Sequence, residues 1–270
     1  MTVEDPGTRR PAAGPEGRPA RPPPRAVEVK RVERLTPHMV RVTFTGPELA
    51  TFGWNGPAAH IKVIFASEPP AAPGESPRRL MRTYTPRRFD REALELDVDF
   101  VLHGDGPAST WASQAAAGQR LMIGGPGRNY VVDESAPWFL LAGDDSALPA
   151  IGTILEVLPP AARALVLVEV IDRHEEQALE SRASVELKWL HRGEDASQAG
   201  RLLEDAVRAL KLPAGDGRVY VACEAGAMRR IRRHLLSERK LERAKIVTRG
   251  YWKLGSTDYP DRDYGEDVDA

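Results

Sequence analysis

Cysteine is almost missing from this sequence. The chain has 270 residues, and Cys223 is its one cysteine. That count excludes an intramolecular disulfide and a self-contained iron–sulfur cluster held by four thiolates, and it gives no sign of a disulfide-stabilised secreted scaffold. If this protein moves electrons, an organic cofactor must carry them.

The sequence also has almost no net charge and no long apolar run. The formal charge is -1, so nothing draws the whole chain toward nucleic acid or anionic lipid, and an anionic ligand would need a local cluster of bases. No apolar run approaches the roughly 20 residues that span a bilayer, and the N-terminal arginines lack the apolar core of a signal peptide. We expect a cytoplasmic monomer with no nucleic-acid partner and no integral membrane segment.

The chain is long enough for two domains of roughly 100 to 150 residues. Residues 1–24 hold seven of the 23 prolines and almost no large apolar side chains, which predicts a disordered tail rich in proline and arginine. We place one domain at 25–132, a second at 133–257, and an acidic, solvated tail at 258–270.

Short strands dominate the first domain. Alternating apolar and polar residues, as in Leu94–Leu102, are typical of strands with one solvated face. Closely spaced strands with Gly/Pro turns between them predict a small antiparallel β-barrel, interrupted by one short helix near Ser109–Ala117. The predicted strands are Ala26–Val32, Met39–Thr45, His60–Phe65, Met81–Arg88, Leu94–Leu102 and Arg120–Ile123.

After Pro137 the pattern changes, because continuous apolar runs now alternate with helical segments. This alternation predicts a doubly wound parallel sheet with helices on both faces. The predicted strands are Trp138–Ala142, Leu165–Val170, Val185–Leu190, Val219–Cys223 and Lys245–Val247. The predicted helices are Ala147–Val157, Arg201–Leu210 and Ala225–Lys240.

The strand segment Arg82-Thr83-Tyr84-Thr85 suits a flavin nucleotide. Arg82 can pair with a diphosphate in a forked geometry, Tyr84 can pack on the isoalloxazine or ribityl chain, and Thr85 can bond a ring edge. An ordinary amphipathic strand with surface arginines explains the same four residues equally well.

A second segment, residues 99–112, is a strand that ends in a glycine turn and opens a helix. Small residues at that helix start leave free amides, which together with the helix dipole suit a diphosphate. Simpler roles compete for three of its members: an N-cap for Ser109, a core aromatic for Trp111 and a turn residue for His103.

Together, these segments resemble the siderophore-interacting protein family of FAD-dependent NAD(P)H ferric-siderophore reductases, which are ferredoxin-reductase-like. The resemblance runs from about Arg25 to Gly255. Three of its motifs match directly: Arg-x-Tyr-Thr at 82–85, Asp-Phe-Val-x-His at 99–103 and Gly-Pro-Ala-Ser-x-Trp-Ala at 106–112. The family's Gly-Asp-Glu-Thr-Ala-Leu-Pro-Ala-Ile stretch stands here as Gly-Asp-Asp-Ser-Ala-Leu-Pro-Ala-Ile at 143–151, and its Tyr-Trp-Arg-x-Gly segment as Tyr-Trp-Lys-x-Gly at 251–255. The resemblance implies an FAD-binding barrel and an NAD(P)-binding α/β domain. The FAD contacts it implies are Arg82, Thr83, Tyr84, Thr85, Asp99, Phe100, Val101, His103, Ala108, Ser109, Thr110, Trp111 and Trp252.

The nicotinamide donor is expected at the carboxyl ends of the parallel strands, where open α/β sheets bind ligands. The predicted contacts are Gly143, Asp144, Asp145, Ser146, Glu224 and Ala225, with Ser146 as a helix cap and Cys223 as either a nicotinamide contact or a buried hydrophobe. Because Asp172 and Arg173 offer both signs of charge after Leu165–Val170, NADH and NADPH both remain open.

The implied acceptor is a ferric siderophore, which is often anionic and would need bases beside the flavin. Lys62, Arg128, Arg249 and Lys253 stand at strand ends close to the motifs and are the candidates. Trp252 is expected after the last strand, either as a lid on the isoalloxazine or in the interdomain seam. His60 and His103 have no carboxylate spacing that completes a ligand set, so we expect no permanent metal site.

Two other functions fit the same residues. One is a general NAD(P)H-flavin or ferredoxin-type reductase with a different acceptor, and the other is a siderophore- or flavin-binding protein without turnover. Intact Arg82, Tyr84, Ser109 and Gly143 favour catalysis over binding alone.

Overall fold

The computed structural model describes residues 22–68, 78–104 and 106–256, together with Tyr259 and Tyr264. Most of the predicted N-terminal tail, residues 1–21, lies outside the described residues, as does the acidic tail apart from the two tyrosines. Within the described ranges, no helix combines the length and the hydropathy that crossing a membrane requires.

Seven antiparallel strands form the first domain, in the order β4-β3-β7-β1-β2-β6-β5. The edge strands β4 and β5 follow each other in the chain with Thr85 between them, so one continuous segment pairs with β3 and then with β6 and closes the sheet into the predicted barrel. The strands are β1 (Arg25–Thr36), β2 (Met39–Thr45), β3 (Ile61–Glu68), β4 (Arg78–Tyr84), β5 (Pro86–Asp90), β6 (Glu95–Val101) and β7 (Arg120–Gly124).

Proline explains two boundaries that differ from the prediction. The predicted strand Met81–Arg88 is divided at Thr85, because Pro86 has no N–H to contribute to a continuous ladder. The predicted helix Ser109–Ala117 is α1 (Pro107–Ser113), which begins earlier because proline favours the first helical position.

The polar face of β6 is not solvated, contrary to the prediction. Leu96, Val98 and Phe100 fill the barrel core at 0% exposure, but Asp97 and Asp99 on the other face are only 7% and 5% exposed. Asp97 accepts a hydrogen bond from the Thr43 hydroxyl at 2.5 Å, and Asp99 accepts one from Arg41 Nε at 2.7 Å. Pairing with the neighbouring strand compensates the burial of both carboxylates.

Five parallel strands form the second domain, in the order β10-β9-β8-β11-β12. They are β8 (Trp138–Asp144), β9 (Arg163–Val170), β10 (Ser184–His191), β11 (Arg218–Glu224) and β12 (Ile246–Trp252). The helices are α2 (Leu148–Val157), α3 (Arg201–Ala209) and α4 (Ala225–Arg233), which continues as a π-helix over His234–Glu238. The predicted parallel sheet is confirmed.

The two faces of this sheet are covered differently. Helices α3 and α4 cover one face, whereas α2 covers the other together with Met39 and Tyr130 of the barrel. Between β9 and β10 there is no α-helix, only a 3-10 turn at Arg173–Glu175. The barrel therefore packs against the α2 side and completes the core there.

Glu175 holds the two domains together beside the carboxyl ends of the parallel strands. Its buried carboxylate accepts a hydrogen bond from the Thr36 hydroxyl, and it receives His38 N at 3.1 Å and contacts His38 Nδ1 at 2.8 Å. These contacts attach the β1–β2 hairpin to the end of β9.

Candidate functional site

The site is built on the carboxyl edge of the parallel sheet. The chain leaves β8 toward β9 on one side and later returns to β11 on the other, which makes the gap between β8 and β11 the topological switch point where ligands bind in such sheets. Asp144 ends β8 and Glu224 ends β11. Both predicted donor contacts therefore meet at this point.

Gly143 is required by close packing. A Cβ built on Gly143 would lie 2.6 Å from Ala147 Cβ and 2.7 Å from the Ala222 carbonyl oxygen. A side chain has no space there, and the turn after β8 consequently lies directly against β11.

Asp144 is a buried carboxylate, 3% exposed, with four donors around it. Ser146 contributes its backbone N–H at 3.1 Å and its hydroxyl at 2.5 Å to Oδ1. Glu224 N at 3.0 Å and Trp252 Nε1 at 2.8 Å both donate to Oδ2. Burial raises the pKa of Asp144, and the hydrogen bonds from Ser146 and Trp252 oppose that rise. One side chain thus joins the ends of β8, β11 and β12.

Ser146 does not cap α2 as predicted. Its hydroxyl donates to Asp144, and the residue at the N-cap of α2, Ala147, has no side-chain hydrogen bond to offer. Ser146 stands inside the 3-10 turn Asp145–Ala147, one residue before the N-cap position, and its hydroxyl closes that turn by donating to the Asp144 carboxylate two residues away.

Asp145 faces an arginine that the sequence interpretation missed. Burial and the adjacent charge of Asp144 raise the pKa of Asp145 to about 7, and Arg192, just after β10, reaches its Oδ2 at 3.3 Å. Arg192 Nη1 is buried without a hydrogen-bond partner among the described residues. That orphaned N–H group can donate a hydrogen bond to an anionic oxygen. The only signal in the sequence was a base two residues beyond the predicted strand Val185–Leu190.

Glu224 opens α4 in the manner of an N-cap, because its Oε2 accepts the Ala227 N–H at 2.8 Å. Ala225, at the first helical position, is fully buried. Cys223 is also fully buried, and burial raises the pKa of its thiol well above the usual value. The thiol therefore behaves as a buried hydrophobe in this structure.

The segment Arg82–Thr85 lies where the barrel closes and meets the second domain. The side chain of Thr85, 7% exposed, hydrogen bonds with Tyr251, whose hydroxyl lies 2.8 Å from that of Tyr220. Tyr84 packs on Phe100 with ring centroids 4.3 Å apart, and burial raises the pKa of the Tyr84 phenol. Arg82 Nη1 donates to the Met81 carbonyl at 2.8 Å.

The second predicted flavin segment reaches the same place through His103. The charge of Asp144 acts on the His103 imidazole, although desolvation is the larger effect and lowers the pKa of His103. The His103 N–H donates to the Ser109 hydroxyl at 2.9 Å, which fixes the end of the strand against α1. Val101 packs against the α2-side core, and the N–H groups of Ala108 and Ser109 belong to the first turn of α1, where amides have no intrahelical partner. Thr110 is exposed.

Three predicted flavin contacts are already engaged by other residues of the barrel domain. Both carboxylate oxygens of Asp99 pair with Arg41, at 2.7 Å and 2.8 Å. Phe100 is fully buried, and Trp111 stacks on Phe44 at 6.1 Å and lies 5.5 Å from Phe100. For Trp111 the structure shows the core role that the sequence had left as an alternative.

The four predicted acceptor bases occupy different surroundings. Lys62 Nζ donates to the Thr83 hydroxyl at 2.6 Å. Arg128 is exposed, and its carbonyl lies 3.1 Å from His60 Nδ1, which places it beside the β3–β7 pair. The guanidinium of Arg249 lies 4.3 Å from the centre of the Tyr264 ring, and Lys253 is exposed after β12. Among the described residues no group of three or more His, Cys, Asp or Glu is arranged to hold a metal ion.

Trp252 is the last residue of β12 and does not follow the strand, contrary to the prediction. The strand is longer than expected because Thr248–Trp252 continues to pair with β11 up to Glu224. The Trp252 indole N–H donates to Asp144, and the preceding residue, Tyr251, hydrogen bonds with Thr85 of the barrel. Trp252 therefore lies at the seam between the two domains.

The residues present fit the two nucleotide cofactors. The barrel offers a basic and aromatic strand beside an open helix start, which suits FAD, and the second domain offers a switch-point crevice with the orphaned Arg192 donor, which suits NAD(P)H. A closed antiparallel barrel packed on a parallel sheet with strands in this order defines the class of flavin- and nicotinamide-dependent oxidoreductases.

Within that class, two family models match the chain. The siderophore-interacting FAD-binding domain matches residues 28–130, and the siderophore-interacting protein model matches residues 136–255. The chain belongs to the siderophore-interacting protein family.

Several relatives and a solved structure support the assignment. A ferric vibriobactin reductase of Vibrio cholerae is 34% identical, over 87% of this chain and 91% of the relative. An NADPH-dependent ferric-chelate reductase of Escherichia coli is 30% identical, over 84% and 92%. The crystal structure of a siderophore utilization protein from T. fusca is 35% identical, with a TM-score of 0.78 over 90% of this chain and 96% of that one. These likenesses confirm the predicted family and fold.

Proposed function

We propose that this protein is a ferric-siderophore reductase that takes electrons from NAD(P)H, passes them through FAD and delivers them to an Fe(III)-siderophore, releasing Fe(II). The observation that carries the proposal is the meeting of the predicted flavin segments with the switch point. Strand β6 of the second flavin segment lies beside the turn Asp145–Ala147 that follows β8, and Thr85 of the first segment lies beside Tyr251. One relative is a ferric vibriobactin reductase by name and another is an NADPH-dependent ferric-chelate reductase, which supports the proposal.

Each part of the chain has a defined task in this proposal. Bound FAD supplies the conversion between a two-electron hydride donor and one-electron ferric acceptors. The carboxyl edge, with Ser146, Ala225 and Arg192, holds the donor, and the segment Arg82–Thr85 with the first turn of α1 holds the flavin. No side-chain nucleophile is needed. Much of the rate then comes from the orientation of the donor and the acceptor relative to the flavin.

The acceptor would bind on the basic side of the seam. Lys62 lies on β3 next to Thr83, Arg128 follows β7, and Arg249 lies close enough to lower the pKa of Tyr251 by its charge. Lys253 comes directly after the same strand. These bases attract an anionic chelate to the flavin edge, and reduction weakens the chelate because hard oxygen donors hold ferric iron better than ferrous iron.

The acceptor site is tested by the double variant Lys62→Ala with Arg128→Ala. We expect KM for an anionic ferric chelate to rise about tenfold, because two favourable charges are lost at the site. NADPH oxidation by a small neutral acceptor should be unchanged. Arg120→Ala is the matched control, since it removes a base at the opposite end of β7 whose side chain is 83% exposed.

Equal losses with the anionic and the neutral acceptor would contradict the acceptor site while leaving the flavin site intact. A purified protein that shows no visible flavin absorbance even after FAD is added would contradict the whole proposal. The choice between NADH and NADPH, the cytoplasmic location and the monomeric state belong to the same proposal and are tested by donor titration, cell fractionation and light scattering.

A further inference from the structure

Asp144 has no oxygen left for a nicotinamide donor. Ser146 occupies Oδ1 with two hydrogen bonds, and the Glu224 amide and the Trp252 indole occupy Oδ2. A carboxylate has about four lone-pair sites, and all four are in use here. Because Asp144 is also almost fully buried, its effect on the reaction must act through the groups it holds.

The group it holds nearest the flavin segments is Trp252. The indole Nε1 lies 2.8 Å from Asp144 Oδ2, and Asp144 begins the turn that lies beside strand β6 of the second flavin segment. Trp252 is partly exposed, so its ring has a free surface at this seam. The preceding residue, Tyr251, hydrogen bonds with Thr85 of the first flavin segment.

We propose that Asp144 is a positioning residue: it fixes the Trp252 indole at the edge of the flavin site, and in the same way it aligns the donor turn at Ser146 and the start of α4 at Glu224. The inference rests on the proposed function, because that function includes the bound flavin beside which the Trp252 ring would lie. One charged hydrogen bond sets the ring's orientation, and charge-assisted bonds of this kind are stronger than neutral ones.

A double-mutant cycle in the full-length protein separates positioning from general structural support. The variants are Asp144→Ala, Trp252→Phe and the two combined, and the readouts are the FAD dissociation constant and the fluorescence of the bound flavin, which a nearby indole quenches. We expect each single variant to weaken FAD binding about tenfold, the factor that one hydrogen bond to a charged group commonly contributes. The double variant should be no weaker than either single, because both remove the same interaction. Trp189→Phe on β10 is the control and should change neither readout.

Additive losses in the double variant would overturn the inference, since Asp144 would then act independently of Trp252. A wild-type protein that fails to bind FAD would instead refute the proposed function.

If Asp144→Ala does not fold by circular dichroism, Trp252→His and Trp252→Phe decide the question without touching Asp144. Both remove the indole, but histidine keeps a ring N–H for the carboxylate. We expect Trp252→His to bind FAD about threefold more tightly than Trp252→Phe, a part of the value of that bond. Equal affinities would contradict a positioning role.

Discussion

The two domains bury carboxylates for different purposes. In the barrel, Asp97 and Asp99 pair with Thr43 and Arg41 on the adjacent strand, and so join one strand to its neighbour. In the α/β domain, buried carboxylates at the strand ends accept backbone N–H groups of turns and helix starts at the same edge of the sheet. The first arrangement stabilises a sheet, whereas the second fixes the loops that border the ligand crevice. Mutations of the barrel carboxylates should therefore weaken the pairing of two strands, whereas mutations of the strand-end carboxylates should loosen the loops that border the ligand crevice.

The largest loss of stability is expected at Glu169, at 0% exposure near the end of β9. Its carboxylate accepts Gly200 N at 2.6 Å and Leu203 N at 3.0 Å at the start of α3. Glu169→Ala leaves both amides buried without an acceptor, so we expect a loss of about 3 kcal/mol in the free energy of unfolding, measured by urea denaturation. Glu169→Gln keeps one acceptor oxygen and should lose about half as much. A loss near zero for Glu169→Ala would show that this strand-end carboxylate does not fix the start of α3, and would contradict the comparison of the two domains.

Asp99→Ala tests the barrel side. It leaves Arg41, whose side chain is 25% exposed, without its partner, and should cost about 2 kcal/mol of stability. Because both Asp99 oxygens already pair with Arg41, FAD affinity should change less than about twofold. Glu95→Ala on the same strand removes only exposed pairs and should cost under about 1 kcal/mol. A tenfold loss of FAD affinity in Asp99→Ala would show that Asp99 reaches the cofactor after all.

The pH dependence of stability should carry the signature of Asp145. Its pKa of about 7 lies above its ordinary value, so the folded state binds the proton more tightly than the unfolded state. Stability from this group is present at low pH and is lost as pH rises toward about 7. Between about pH 5 and pH 7.5, the wild type should lose about 1 to 2 kcal/mol more than Asp145→Asn. Identical pH profiles for the two proteins would contradict this assignment.

The smallest effect is expected at the hydroxyl pair that connects the domains. Tyr251→Phe removes the partner of Thr85 and Tyr220 but keeps the ring, so stability should fall by about 1 kcal/mol. Thermal unfolding monitored by flavin release and by circular dichroism should show flavin release shifted more than the loss of secondary structure. Equal shifts of flavin release and of secondary-structure loss would mean that the Tyr251 hydroxyl stabilises the fold as a whole and has no particular effect on the flavin site.

The sequence predicted the architecture because its signals were local. The alternation in Leu94–Leu102 and the continuous apolar run at Trp138–Ala142 each indicate their type of strand without knowledge of the fold. The motifs at 82–85 and 143–151 likewise lie within single segments. The prediction of two domains and of the general position of the site was drawn from these strand patterns and motifs.

What the sequence did not predict depends on contacts between distant residues. Asp144 and Trp252 are separated by 108 positions, and nothing near either one indicates their hydrogen bond. Arg192 became a site residue only through its distance to Asp145. The buried polar face of β6 was expected in water because the partners on β2 cannot be read from β6 alone.

The central claim is that the chain passes electrons from a nicotinamide donor through FAD to a ferric chelate. Anaerobic mixing of the FAD-loaded protein with NADH or NADPH, followed by a ferric siderophore and a ferrous-iron trap, tests it directly. The account predicts that at least one donor bleaches the visible flavin absorbance, and that the chelate restores it while two ferrous ions are trapped per donor oxidised, since a hydride carries two electrons. Bleaching by the donor with no reoxidation and no trapped ferrous iron across a panel of ferric chelates would contradict it.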